Sequence, residues 1–179
     1  MNKTIYILSL FFIIQFTQAQ KTAFSKMIDT TLQKTVPFIS VPELKAKYND
    51  FVILDARETE EYNTSHLKNA QLVGYNKFKL KKTLKTLPKN KPIVVYCSIG
   101  YRSEKIAEKL QKKGYQVYNL YGGIFDWKNK NNTVIDSTNN PTENVHTYNK
   151  EWSKWLKKGK KVYKKDKKSN IRSSAVENK

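Results

Sequence analysis

The 179-residue chain carries a single cysteine, Cys97, so no disulfide can form within it and the fold must be held by its core. Histidine is almost as scarce, with two residues, and nothing in the sequence has the spacing of a zinc-ligand cluster. Acidic residues are few: 15 Asp+Glu stand against 34 Lys+Arg, a formal net charge of +19. Such a balance can signal nucleic acid, a membrane surface or anionic small molecules. No nucleic-acid-binding motif accompanies it, so nucleic acid is not an expected partner. Much of the excess is local, with 12 Lys or Arg against 3 Asp or Glu from Lys150 to Lys179, as in a solvated lysine-rich tail. Long apolar runs are also missing. The longest candidate, "IYILSLFFIIQF" from Ile5 to Phe16, would make a helix of about 18 Å, short of the ~30 Å hydrocarbon core. No internal repeat is present.

What is there begins with that run. Lys3 precedes it, and Thr17 and Ala19 in "TQAQ" place small residues before a cut, the layout of a secretory signal peptide over 1–19. The expected mature chain starts near Gln20, is periplasmic or secreted, and has no stable membrane anchor. Residues 20–36 read as a polar lead-in with an amphipathic stretch at Phe24, Met27, Ile28 and Leu32. From 37 to 129, short apolar runs alternate with helical patterns. "FISVPELKAKY" reads as strand then helix, with Pro42 suited to a first helical turn. Phe51 to Leu54 reads as a strand covered on both faces, and Glu58, Glu60 and Glu61 suit the start of the helix after it. A helix is expected over 75–87, and "PIVVYC" is the most strand-like run. "SEKIAEKLQKKG" is a helix ending at Gly114, "YQVYNL" a strand, and "GG" a turn into a further helix near Ile124. Alternation of this kind predicts an α/β domain in three layers, a central parallel sheet flanked by helices. Residues 130–159 read as a polar loop, with a brief strand at Val134–Ile135, plus a helix with Tyr148, Trp152, Trp155 and Leu156 on one face, expected to pack onto the α/β domain, and 160–179 as a basic tail expected to be disordered.

The sheet edge locates the chemistry. In an open parallel sheet, ligands bind beyond the carboxyl ends of the strands, and Cys97 ends its strand there. The helix that follows begins near Tyr101 or Arg102, where its first N–H groups lack intrahelical acceptors and its dipole is positive. A loop wound around the sulfur, eased by Gly100, would add inward N–H groups and form an anion cradle. No His or Asp lies within the loop to act as base. The arrangement therefore points to a nucleophile activated by its electrostatic surroundings rather than by a triad.

The stretch "VYCSIGYRSEKIAEKLQKKGYQVYNLYGGIFDW" resembles the catalytic half of a rhodanese (sulfurtransferase) domain, in which Cys97, Gly100, Arg102, Ser103, Gly114, Leu120, Gly122, Gly123 and Trp127 fall in place. Upstream, "ILDARETEEYNTSHLKNA" is similar to the same family at Asp55, Arg57, Glu61, Tyr62, His66 and Ala70. Ala56 and Ser65 depart from the family's usual Val and Gly. The resemblance implies a single-domain sulfurtransferase. Cys97 would take the outer sulfur of a thiosulfate-like anionic donor, become a persulfide, and pass that sulfur to a thiol, to cyanide or to a protein acceptor, with no cofactor and no metal. Ser98, Ile99, Gly100, Tyr101 and Arg102 would surround the persulfide. The loop from Cys97 to Arg102 has the six-residue length of the sulfurtransferases, whereas related phosphatases and arsenate reductases use a longer one.

Three further residues are expected to support the site. Asp55 would accept hydrogen bonds from the cysteine loop. Arg57 would pair with Glu61 one helical turn on. Ser103 would cap the helix or bond to Cys97. His66 is expected to be structural. The alternative to catalysis is a binding module or a sulfur carrier for one partner, suggested by Trp152, Trp155 and the basic tail.

Overall fold

Apolar runs bounded by breakers form the elements. A computed structural model of the chain describes residues 22–163; the leader expected over 1–19 and most of the basic tail lie outside the described residues. The order is Ala23–Thr31 (α1), Phe38–Ile39 (β1), Val41–Ala46 (α2), Val52–Asp55 (β2), Thr59–Thr64 (α3), Gln71–Leu72 (β3), Leu80–Leu84 (α4), Ile93–Tyr96 (β4), Tyr101–Gln111 (α5), Val117–Leu120 (β5) and Gly123–Asn129 (α6). The five strands make one sheet in the order β1-β5-β4-β2-β3, every pairing parallel. The predicted α/β class and helix-covered parallel sheet are therefore what the chain adopts.

β4 lies at the centre and is buried along its whole length. Side chains alternate across a strand, and β4 divides accordingly. Val94 and Tyr96 join the layer of Ile53, Leu120, Ile124 and Phe125, while Ile93, Val95 and Cys97 join that of Leu54, Ile106, Leu110 and Val117. Helix starts follow the capping rules. Ser40 and Glu43 bond reciprocally at the head of α2, and Glu58 and Glu61 do so at the head of α3.

Elsewhere the structure meets expectation only in part; the amphipathic stretch of the lead-in and the brief strand at Val134–Ile135 are present. The lead-in contains α1, capped by Thr22 and tied to the domain where the Tyr121 hydroxyl donates to Ser25 O at 3.2 Å. The helix expected over 75–87 is only Leu80–Leu84. After α6, Val134–Ile135 (β6) pairs antiparallel with Pro141–Thr142 (β7). Asn144–His146 (β8) pairs parallel with Lys160–Val162 (β9), so the first residues of the expected disordered tail form a strand. The helix around the tryptophans is only Lys150–Ser153 (α7), with Tyr148 outside it at φ +65°. Trp155 lies against Phe24, ring centroids 5.8 Å apart. Its contribution to an apolar face is thus used within the molecule. No helix among the described residues is long and apolar enough to cross a membrane.

Candidate active site

Cys97 follows the last residue of β4 directly, so the central strand aims it at the carboxyl edge of the sheet. The residue is 1% exposed, yet it lines a cavity of about 440 Å³ together with Ser98, Ile99, Tyr101 and Arg102 of its own loop. The Gly100 N–H donates to Cys97 Sγ at 3.2 Å. Gly100 has φ +120°, and a Cβ there would sit 3.0 Å from Leu32 Cδ1. The backbone angle therefore favours glycine, and a larger residue would also press on the Leu32 side chain.

The loop is anchored from behind. Its carbonyls are taken up by neighbouring elements: Cys97 O accepts from Ile124 N–H at 2.9 Å, and Ser98 O from Phe125 N–H at 3.2 Å. Gly100 O accepts from Asn119 Nδ2 at 2.9 Å. A trans peptide holds its N–H antiparallel to its C=O, so fixing these carbonyls turns the N–H groups of Ser98, Ile99 and Tyr101 the opposite way. The first two anchors are the unsatisfied N–H groups that open α6. They approach so closely because residue 123 is glycine: a Cβ there would lie 2.3 Å from Cys97 O, and φ is +54°. Gly123→Ala must push the two backbones apart. It is expected to cost roughly 2 kcal/mol or more in urea unfolding and to release the loop; a variant of unchanged midpoint and unchanged cysteine reactivity would show that the anchor does not matter.

Two buried ion pairs flank the loop, and they are not the expected ones. Glu61 accepts both guanidinium nitrogens of Arg102, each at 2.7 Å, and the Ser98 hydroxyl at 3.3 Å. Burial works against the Glu61 charge, but Arg102, by hydrogen bond and by charge, lowers its pKa overall. Arg102 in turn is held charged: burial opposes it, while Glu61 and Cys97 raise its pKa. Arg57 does not reach Glu61 as a hydrogen-bond partner. Its Nη2 donates to Asp55 Oδ2 at 2.6 Å and to Ser65 O at 2.6 Å. Asp55 accepts from Arg57 and from the Tyr96 hydroxyl, at 2.6 Å, rather than from the cysteine loop. The role expected of Asp55 is thus filled by Glu61, six residues further on. Asp55 and Arg57 brace the strand end instead, with Tyr96 immediately before the cysteine.

Ser103 neither caps its helix nor bonds to Cys97. Its hydroxyl lies 2.7 Å from Asn119 Oδ1 and 3.0 Å from Gly100 O, closing a triangle under the loop. Asn119 had no signal in the sequence beyond its place on β5. His66 stacks on Tyr62 at 3.8 Å, with Nδ1 3.0 Å from Tyr62 O, a structural position as expected. The sequence also did not foretell the outer lining of the cavity, which comes from Thr31 at the end of α1 in the lead-in, from Glu58, Tyr75 and Asn76, and from Tyr148 and Trp152.

Comparison with known proteins agrees with this geometry. The family model described as the rhodanese-like domain matches residues 40–130. The thiosulfate sulfurtransferase GlpE of Coxiella burnetii is 34% identical over 98 residues, covering 54% of this chain and 89% of that protein. A tRNA sulfurtransferase of Desulfurococcus amylolyticus is 34% identical over 95 residues, 51% of this chain but 18% of that longer protein. Among solved structures, a rhodanese-related protein from Thermoplasma volcanium superposes with a TM-score of 0.51 at 25% identity, covering 55% of this chain and 97% of its own. With the cysteine loop, its glycine anchor and the five-stranded parallel sheet in place, the chain belongs to the rhodanese-like domain family.

Proposed function

We propose that this chain is a sulfurtransferase that moves a sulfane sulfur from a thiosulfate-like donor, through a persulfide on Cys97, to a nucleophilic acceptor. The Cys97 thiolate attacks the outer sulfur of the donor. A sulfur–sulfur bond forms to Cys97 as the donor's own sulfur–sulfur bond breaks, and sulfite leaves with that electron pair. The acceptor then attacks the outer sulfur of the persulfide, and Cys97 departs again as thiolate. The single observation that carries the reading is the placement of Cys97: the residue lines the cavity before an eleven-residue helix, and its Sγ lies 3.2 Å from the Gly100 nitrogen. An N–H donor beside the helix's positive end favours negative charge on sulfur in both the free and the persulfide states.

The test uses the full chain, thiosulfate and cyanide. Thiocyanate should form. The protein after thiosulfate alone should gain about 32 Da at Cys97, and cyanide should remove that mass, which it would not do for a sulfinic acid. If no thiocyanate forms and no cyanide-labile adduct appears, the proposal fails.

A further inference from the structure

Residues past Asn129 lie outside the catalytic core of the fold, yet they reach its cavity. β8 packs against α3, the helix that carries Glu61. The chain then turns at Thr147, whose N–H donates to Val162 O at 2.7 Å. Tyr148 follows with its ring 5.8 Å from the Arg102 guanidinium carbon, and Trp152 follows on α7. Both line the cavity that contains Cys97.

The position of these two side chains is built into the fold. Tyr148 has φ +65°, which is an outlier for an aromatic residue. Its N–H donates to His146 Nδ1 at 3.1 Å, holding that conformation. Asn149 caps α7 through the Trp152 N–H at 3.0 Å. Further along, Asn129 Nδ2 donates to Trp155 O at 3.0 Å, and Asn129 Oδ1 accepts from Lys157 N–H at 2.6 Å. The segment is therefore pinned before and after the aromatic pair. Backbone strain of this kind, held in place by surrounding bonds beside a site, motivates a functional reading of the residue.

Size and chemistry indicate what the pair is for. A thiosulfate or cyanide ion has only a handful of heavy atoms. A cavity of about 440 Å³ falls in the range that encloses an organic molecule of some size. Tyr148, Trp152, Tyr75, Tyr101 and Ile99 offer it rings and apolar surface. Arg102, whose charge Glu61 already engages with two hydrogen bonds, is not a bare anion receptor.

We infer that Tyr148 and Trp152 are specificity-determining residues, which make the cavity a site for an organic thiol acceptor with an apolar or aromatic body. The inference rests on the sulfur-transfer reading above. The body lies against the two rings with its thiol toward Cys97. The acceptor thiolate attacks the outer sulfur of the Cys97 persulfide, leaves as R–S–S⁻, and returns the electron pair to Cys97. A second acceptor thiol converts the product to a disulfide and releases sulfide.

The experiment compares phenylmethanethiol with 2-mercaptoethanol, two alkyl thiols of similar nucleophilicity. Sulfide release is followed from the full chain with thiosulfate as donor. The kcat/KM ratio should favour phenylmethanethiol by about tenfold or more, and Tyr148→Ala and Trp152→Ala should each lower that ratio several-fold, mainly through KM. Tyr148 is 59% exposed, so its truncation keeps the test decisive even where Trp152→Ala perturbs folding. Quenching of tryptophan fluorescence by benzyl methyl sulfide, which cannot accept sulfur, reads binding alone and should weaken in Tyr148→Ala. Sulfur transfer without preference between the thiols, or a preference that survives Tyr148→Ala, overturns the inference and leaves the sulfurtransferase reading standing. Thioether binding without any thiocyanate or persulfide does the reverse: it removes the reaction and keeps the aromatic wall as a binding site.

Discussion

Cys97→Ser is expected to abolish thiocyanate formation while leaving the fold in place. The serine hydroxyl can accept the Gly100 N–H that now reaches sulfur at 3.2 Å, so the loop keeps its internal bond. The oxygen does enter an apolar layer beside Leu54, Ile106 and Ala107. Burying a hydroxyl with one of its bonds made costs on the order of 1–2 kcal/mol, which for a chain of this size lowers Tm by a few degrees. The chemical loss is far larger. Each half-reaction makes and breaks a sulfur–sulfur bond at residue 97, and a neutral hydroxyl neither attacks sulfane sulfur at useful rate nor holds it. Loss of a covalent nucleophile in other enzymes costs thousands-fold or more, and no His or Asp stands in the loop to activate an alternative. Unchanged circular dichroism, a modest Tm shift and a rate equal to the buffer blank are the expected trio. A serine variant retaining more than about a hundredth of the wild-type rate would mean that the sulfur does not carry the transferred atom.

The core of this site was legible in the sequence because its signals are local. "IVVYC" reads as a buried strand from its apolar run, Gly100 and Gly123 stand where the backbone needs them, and the helix after the loop follows from the spacing of Ile106, Ala107 and Leu110. The ion-pair wiring was not legible. Arg57 and Glu61 have the spacing of a helical pair, but Arg57 lies before α3 begins, so helical spacing does not apply to it, and Asp55 two residues back is nearer in space. Glu61 finds Arg102 across 41 residues, a contact that only tertiary packing creates. The extension was hidden for a similar reason. Lysines disfavour strands locally, yet Lys160–Val162 forms a ladder with Asn144–His146, where pairing overrides propensity. The helical spacing of Tyr148, Trp152, Trp155 and Leu156 is real but covers only one turn of actual helix, and Tyr148, at positive φ outside that turn, lines the cavity.

Glu61→Gln should lower stability more than the change at the nucleophile does. The Glu61 side chain is 4% exposed and that of Arg102 15%, so removing one charge leaves the other nearly dry and uncompensated. Breaking a buried pair from one side typically costs about 3–5 kcal/mol. The amide keeps one oxygen but turns an NH₂ toward the guanidinium, so one of the two 2.7 Å bonds becomes a clash of donors. The sign of the pH dependence follows from the lowered pKa. Folded Glu61 releases its proton below the usual carboxylate value of 4.5, despite its burial, because Arg102 favours the charged form. Its contribution is therefore fully present above that value and is lost as pH falls through the lower folded one. Urea unfolding of wild type and variant should thus converge as pH drops from about 7 to 3; a gap that stays constant would show that the pair acts through packing and not through charge. Adding Arg102→Gln to the variant separates two roles of the arginine. With both charges gone the uncompensated ion is removed, so much of the stability should return. If thiocyanate formation returns with it, Arg102 serves only to neutralise Glu61. Stability regained without activity, the expected result, would show that the guanidinium does more at the site than neutralise Glu61.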